Sequence, residues 1–122
     1  MGTQLAVIAP RGVSKSFDAA SLVAEWRADM QAAVDAGERS QATANTYARG
    51  MAHFIKWVEG QDLAGIGPQA IRAWKAALKG EGRKPAGINV FYSGVRAFFK
   101  WAVAERGLAY DPTCTVEGAS RR

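Results

Sequence analysis

Asn89, Ser93, Arg96 and Lys100 recur at i, i+4, i+7 and i+11. On a helix that spacing lines up an amide, a hydroxyl, a guanidinium and an ammonium on one side. Such a row can hold phosphate oxygens and hydrogen-bond the edges of bases. No carboxylate interrupts it. Asn45, Arg49, His53 and Lys56 form a second row of similar type and spacing. Periodicity alone reads either row as a solvated polar face, so their chemistry depends on what the rest of the chain builds.

Groups suited to covalent chemistry are scarce. One cysteine, Cys114, and one histidine, His53, argue against a zinc site on the usual ligands, and one cysteine rules out an intramolecular disulfide. A lone thiol fits a reducing cytoplasm, and Cys114 reads as an inert tail thiol. Tyr110 is the most tempting stray nucleophile, but it has no neighbouring histidine and sits in a turn, where packing or a hinge role suits it better. No face pairs titratable groups, which disfavours an enzyme with a buried small-molecule site. No cofactor and no metal are implied.

The rows need helices to carry them, and the chain reads as four. The 122 residues suit one domain with one core, 48% apolar and 22% charged, as in an ordinary globular protein. No apolar run approaches the roughly 20 residues of a membrane span, and Met1–Pro10 lacks the basic region of a signal peptide. Residues 1–15 read as a flexible arm, broken by Pro10 and Gly12. A first helix is expected from a Ser16 cap, with Phe17, Leu22, Val23, Trp26, Met30 and Val34 inward and Gly37 as its stop.

Ser40 or Thr43 caps the second helix, whose stripe is Tyr47, Met51, Phe54, Ile55 and Val58, and Gly60 ends it. Gly50 within it should cost about 1 kcal/mol relative to alanine, so this helix leans on packing. Leu63 and Ile66 mark a short apolar connection. Pro68 opens a third helix with Ile71, Trp74, Ala77 and Leu78 inward, and Gly80–Gly82 breaks it. Pro85 opens the fourth, with Ile88, Phe91 or Tyr92, Val95, Phe99, Ala102 and Val103 as its stripe and Gly107 as its stop. Asp111-Pro112 then starts an extended tail. Trp26, Trp57, Trp74 and Trp101 read as core rather than base-stacking platforms. His53 reads as a surface or groove-edge residue. Gly94 fits either a close helix crossing or a backbone approach to DNA. With no strand alternation, the fold class is all-α, a small four-helix bundle.

The net charge of +5 weakly favours an anionic partner, and its distribution says more. Between Phe17 and Ala36, Asp18, Glu25, Asp29 and Asp35 against Arg27 leave −3. Between Arg83 and Arg106, Arg83, Lys84, Arg96, Lys100 and Arg106 against Glu105 leave +4.

The order of features resembles a known family. Ser/Thr-x-x-Thr-x-x-x-Tyr is followed by Phe54-x-x-Trp57, Leu63, Ile66-Gly67-Pro68, Ala86-Gly87-Ile88-Asn89, then Tyr92-Ser-Gly-Val-Arg-Ala-Phe-Phe-Lys-Trp-Ala102, Gly107-Leu108 and Asp111-Pro112. Over residues 16–116 this resembles the N-terminal core-binding, SAM-like domain of the tyrosine recombinases, the phage-integrase family. The resemblance implies the four-helix fold of that domain and a DNA clamp for recombination or integration of mobile elements, with the second and fourth helices toward the major groove. Thr43, Asn45, Thr46 and Arg49 then become DNA-binding candidates on the second helix. Asn89, Ser93, Arg96 and Lys100 become candidates on the fourth, with Lys84 at its start. Arg and Lys would hold phosphates, while Asn45, Asn89 and Arg49 would reach base edges.

Two positions depart from the family. Lys84-Pro85-Ala86-Gly87 stands where a Ser or Thr pair is common, and Asp111 where Asn often precedes Pro. The family's tyrosine nucleophile and its helpers belong to a C-terminal domain beginning after about residue 120, so no strand cleavage is expected of this chain alone. Residues 117–122 read as the start of an interdomain linker, or the end of a cut piece. The implied partners are duplex DNA and, at full length, further recombinase protomers. A membrane is not among them; the isolated domain would be monomeric, in the cytoplasm and nucleoid-associated. The rival reading is a helical protein–protein interaction module whose basic face meets an acidic partner.

Overall fold

Four α-helices follow one another in the computed structural model, which describes residues 18–59 and 61–117. They are α1 (Ala19–Asp35), α2 (Gln41–Trp57), α3 (Pro68–Gly80) and α4 (Pro85–Arg106), with a short 3-10 turn at Leu63–Gly65. The all-α expectation holds, and no strand occurs among the described residues. The arm at 1–15, Ser16, Phe17 and Gly60 lie outside the described residues.

The cap of α1 is Asp18 rather than Ser16. Its carboxylate accepts from the Ser21 amide at 3.1 Å and the Ser21 hydroxyl at 2.6 Å. Those bonds hold the Asp18 carboxyl below its ordinary range. Gly37, at φ 81°, lies just past the Ala36 cap. Ser40 caps α2, accepting from the Thr43 amide at 3.0 Å. The end of α2 is Val58, whose amide reaches the Phe54 carbonyl at 3.0 Å. Pro68 and Pro85 open α3 and α4 where a missing N–H removes no helical bond. Gly107 closes α4 in the left-handed region at φ 75°, and the Leu108 amide folds back to the Ala102 carbonyl.

The core is aromatic. Trp74, Phe54, Phe98, Phe99 and Trp26 are buried, and their rings meet edge-on, 5.1 Å apart for Phe54 and Trp74 and 5.4 Å for Trp26 and Phe98. Trp101 is half-buried and donates its indole N–H to Asp29 at 2.8 Å. Trp57 departs from the expected core role, lying 40% exposed at the last turn of α2. His53 departs too, since it is half-buried and its Nδ1 accepts the Trp74 indole N–H at 3.0 Å. It packs α2 onto α3 and is not a groove-edge donor.

One contact organises the bundle. A Cβ on Gly50 would lie 2.4 Å from the Phe91 carbonyl oxygen, and one on Gly94 would lie 2.3 Å from that of Tyr47. Helices α2 and α4 therefore cross backbone against backbone, through a glycine from each. Of the two roles open to Gly94, the structure gives it the helix crossing.

The tail is not extended. It turns at Pro112–Thr115 and docks on the bundle, with Pro112, Thr113 and Val116 buried. Asp111 holds the turn, accepting from the Thr113 amide at 2.8 Å and the Thr113 hydroxyl at 2.6 Å. Tyr92, buried in α4, directs its hydroxyl at the carbonyls of Thr113 and Val116, 3.1 and 2.5 Å away. Arg72 reaches the Thr115 carbonyl at 3.4 Å, and Lys75 reaches that of Glu117. Tyr110 is 48% exposed, so it fills no core position, and its hydroxyl meets the Cys114 thiol at 3.8 Å.

Tyr92→Phe should keep the ring and lose the clamp. The expected loss is about 1–2 kcal/mol, with faster amide exchange confined to residues 113–117. Unchanged exchange there would show that the buried side chains hold the tail without the hydroxyl. Burial also pushes the Tyr92 hydroxyl above its ordinary pKa of 10.0, with Arg96 opposing and Asp111 adding. The folded state thus favours the protonated phenol. This contribution is fully present below pH 10 and is lost as pH rises through the folded value.

Candidate nucleic-acid interface

The geometry of the crossing decides where the polar rows point. Gly50 meets Phe91 while Tyr47 meets Gly94, so the contact ascends one helix as it descends the other. The two helices run antiparallel. In an antiparallel pair, the residue after each contact position turns to one side of the contact plane on both helices. The residue before it turns to the other side. Met51, Tyr92 and Val95 follow contact positions and are buried at 0%, 3% and 0% exposure. Thr46, Arg49, Val90 and Ser93 precede them, and all four are half-buried or exposed. Thr46 and Arg49 of α2 and Val90 and Ser93 of α4 therefore share one outer side of the bundle.

Carboxylates are sparse along the two helices, although Glu81 lies 3.7 Å from His53 of the α2 row. Helix α2 contains no Asp or Glu, and α4 contains none before Glu105. The cations of the basic stretch separate into two groups. Arg83 pairs with Glu81 at 3.0 Å, and Arg106 pairs with Glu25 of α1 at 2.6 Å. Lys84, Arg96 and Lys100 make no ion pair with a described carboxylate, and neither does Arg49 on α2. Two of the five cations of the stretch thus brace the fold or its loops, and three are left without an ion pair among the described carboxylates.

The candidates differ in what their polar atoms already do. Arg49, Arg96 and Lys100 are exposed, and the Arg96 guanidinium lies 6.0 Å from the Tyr92 ring centre. Asn45 is exposed, and its side-chain oxygen accepts from Gln41 at 3.0 Å, leaving its amide donors outward. Thr43 is half-buried and its hydroxyl oxygen accepts from Ser40 at 2.8 Å. Thr46 and Asn89 are half-buried. Ser93 is exposed, but its hydroxyl donates to the Asn89 carbonyl at 2.8 Å, so it offers a lone pair before it offers a proton. Lys84 is the N-cap of α4 and supplies no side-chain acceptor. The first-turn amides and the positive end of that 22-residue helix are left without a side-chain cap, beside an ammonium.

Two outward residues escape the sequence rows. Arg39 stacks 5.5 Å from the Tyr47 ring centre, just before α2. Val90 stands 43% exposed between the rows. Neither falls at a row position, and only the crossing geometry marks Val90. Among the described residues no group of three or more His, Cys, Asp and Glu could hold a metal ion. No helix is long and apolar enough to cross a membrane.

These features define a small helical domain with exposed, unpaired cations on an antiparallel helix pair. The family model of the phage integrase N-terminal SAM-like domain matches residues 33–106, more than half of the chain. The chain belongs to that family, which places it in a tyrosine-recombinase context. No curated protein and no solved structure gives a significant match.

Proposed function

We propose that this chain is the DNA-binding core-binding domain of an integrase-type site-specific recombinase, and that it clamps duplex DNA with α2 and α4. The observation that carries the reading is a set of exposed cations on or beside α2 and α4, Arg49, Lys84, Arg96 and Lys100, that make no ion pair with a described carboxylate. A major groove about 12 Å wide admits one helix at a time, so α2 and α4 would each present their own outward residues to the duplex. Arg96, Lys100 and Lys84 hold phosphates, and the uncapped start of α4 adds amide donors to the Lys84 contact. Asn45, Asn89 and Arg49 lie closer to base edges, with Thr43, Thr46 and Ser93 supplying shorter contacts.

The domain is non-catalytic on its own. Breaking a phosphodiester with a tyrosine nucleophile needs cations and a proton donor gathered at the scissile phosphate. Here the Tyr110 hydroxyl meets Cys114 and Thr115, and His53 is occupied by Trp74. Cleavage and rejoining belong to a separate C-terminal domain, and other protomers of the full-length recombinase would complete the assembly on DNA. The docked tail, held by Tyr92, Arg72 and Lys75, fixes the direction in which the chain leaves toward that domain.

Duplex binding followed by fluorescence anisotropy across a salt series tests the reading. Weak binding that falls steeply with salt is the expected result. No salt-dependent binding even at low salt would overturn it in favour of a protein-interaction module with a basic face.

A further inference from the structure

Val90 has no evident task in the fold. It is 43% exposed in the second turn of α4, where a β-branched side chain adds nothing to helix propensity. Its place is nonetheless specific. Val90 precedes Phe91, whose backbone meets Gly50, so it turns to the same outer side as Thr46, Arg49 and Ser93. Its neighbours along α4 on that side are the small Ala86, Ser93 and Ala97. The isopropyl group therefore stands out from the side that also carries the cationic Arg49.

We propose that Val90 is a specificity-determining residue, packing on the C5-methyl group of thymine in the major groove. The proposal rests on the DNA reading above and deepens it. When a helix enters the groove, phosphates line its rims and base edges form its floor. The apolar group presented there is the thymine methyl. One exposed valine beside a cation is too small an apolar patch for a stable protein interface, which buries about 800 Å² per partner. A methyl-sized contact matches it.

The test uses two duplexes of about 24 base pairs, one of alternating dA and dT, the other with deoxyuridine replacing every thymidine. The substitution removes the methyl groups and keeps the hydrogen-bonding edges. Binding at low salt is measured for the parent, for Val90→Ala and for Arg96→Ala with Lys100→Ala. The parent should prefer the thymine duplex by about fourfold, the worth of one buried methyl. Val90→Ala should bring that ratio close to one and bind the deoxyuridine duplex as the parent does. The double variant should lose affinity for both duplexes and keep the ratio. A parent that binds both duplexes equally, or a thymine preference that survives Val90→Ala, overturns the proposal and leaves the DNA reading standing. A parent that binds neither duplex overturns the DNA reading and this proposal with it. Val90 is exposed, so Val90→Ala should keep its helical circular dichroism and melt with the parent.

Discussion

Gly94→Ala should unfold the domain well before the parent, by about 3 kcal/mol or more and roughly 10 °C or more in Tm. The added methyl carbon would lie 2.3 Å from the Tyr47 carbonyl oxygen and 2.9 Å from two further backbone atoms of Tyr47. Backbone cannot step aside as a flexible side chain can, so α2 and α4 must separate. Their separation loosens the aromatic core behind them, where Phe54 and Phe98 pack. A domain of this size has only about 5–15 kcal/mol in hand. Gly87→Ala is the matched control, in the same helix with nothing within 4 Å of the new atom. It should stabilise by about 0.5–1 kcal/mol, because alanine favours the helix and restricts the unfolded chain. Opposite signs for one substitution in one helix isolate the crossing as the cause. If Gly94→Ala melted with Gly87→Ala, the close approach would not hold in solution.

The elements that read clearly in the sequence are those where one residue type acts alone. Pro68 and Pro85 start helices because proline lacks an N–H, and Gly107 ends one because it adopts positive φ. The inward stripes of α3 and α4 follow from periodicity in the same way, except that Val103 stands 37% exposed at the end of α4 and Phe98, outside the expected stripe, is fully buried. Features that need two distant residues do not read out. His53 and Trp74 are 21 positions apart, and no local pattern says that one accepts the other's proton. The docking of the tail depends on Tyr92, which looks like an ordinary stripe residue until Thr113 and Val116 arrive at its hydroxyl. The +4 balance of the basic stretch also misleads by half, because Arg83 and Arg106 are paired with Glu81 and Glu25. The two polar rows are visible as spacing. That residues of both share a side is not, because spacing fixes a residue's direction on its own helix and leaves the relation between helices open. Gly50 and Gly94 hold that relation; Gly50 alone reads only as a weak spot in a helix, and Gly94 alone leaves a helix crossing and an approach to DNA both open.

Arg96→Ala with Lys100→Ala should weaken duplex binding and flatten its dependence on salt. Each phosphate contact releases condensed counterions, so log K falls with log salt at about 0.9 per contact, and removing two should lower the slope by about two. At moderate salt that corresponds to a loss of roughly ten- to a hundredfold in affinity. Both side chains are exposed and neither pairs with a described carboxylate, so the fold should survive, and unchanged thermal melting would establish that. Arg106→Ala is the informative contrast. It removes the same kind of charge from the same helix, but a charge already paired with Glu25 at 2.6 Å, so it should leave the salt slope almost unchanged. Long-range attraction to the net positive charge would respond to all three arginine and lysine positions alike. Direct contact through the outer side of α4 responds only to Arg96 and Lys100. A double variant that kept the parent's slope would move the DNA off α4, or replace it with a protein partner.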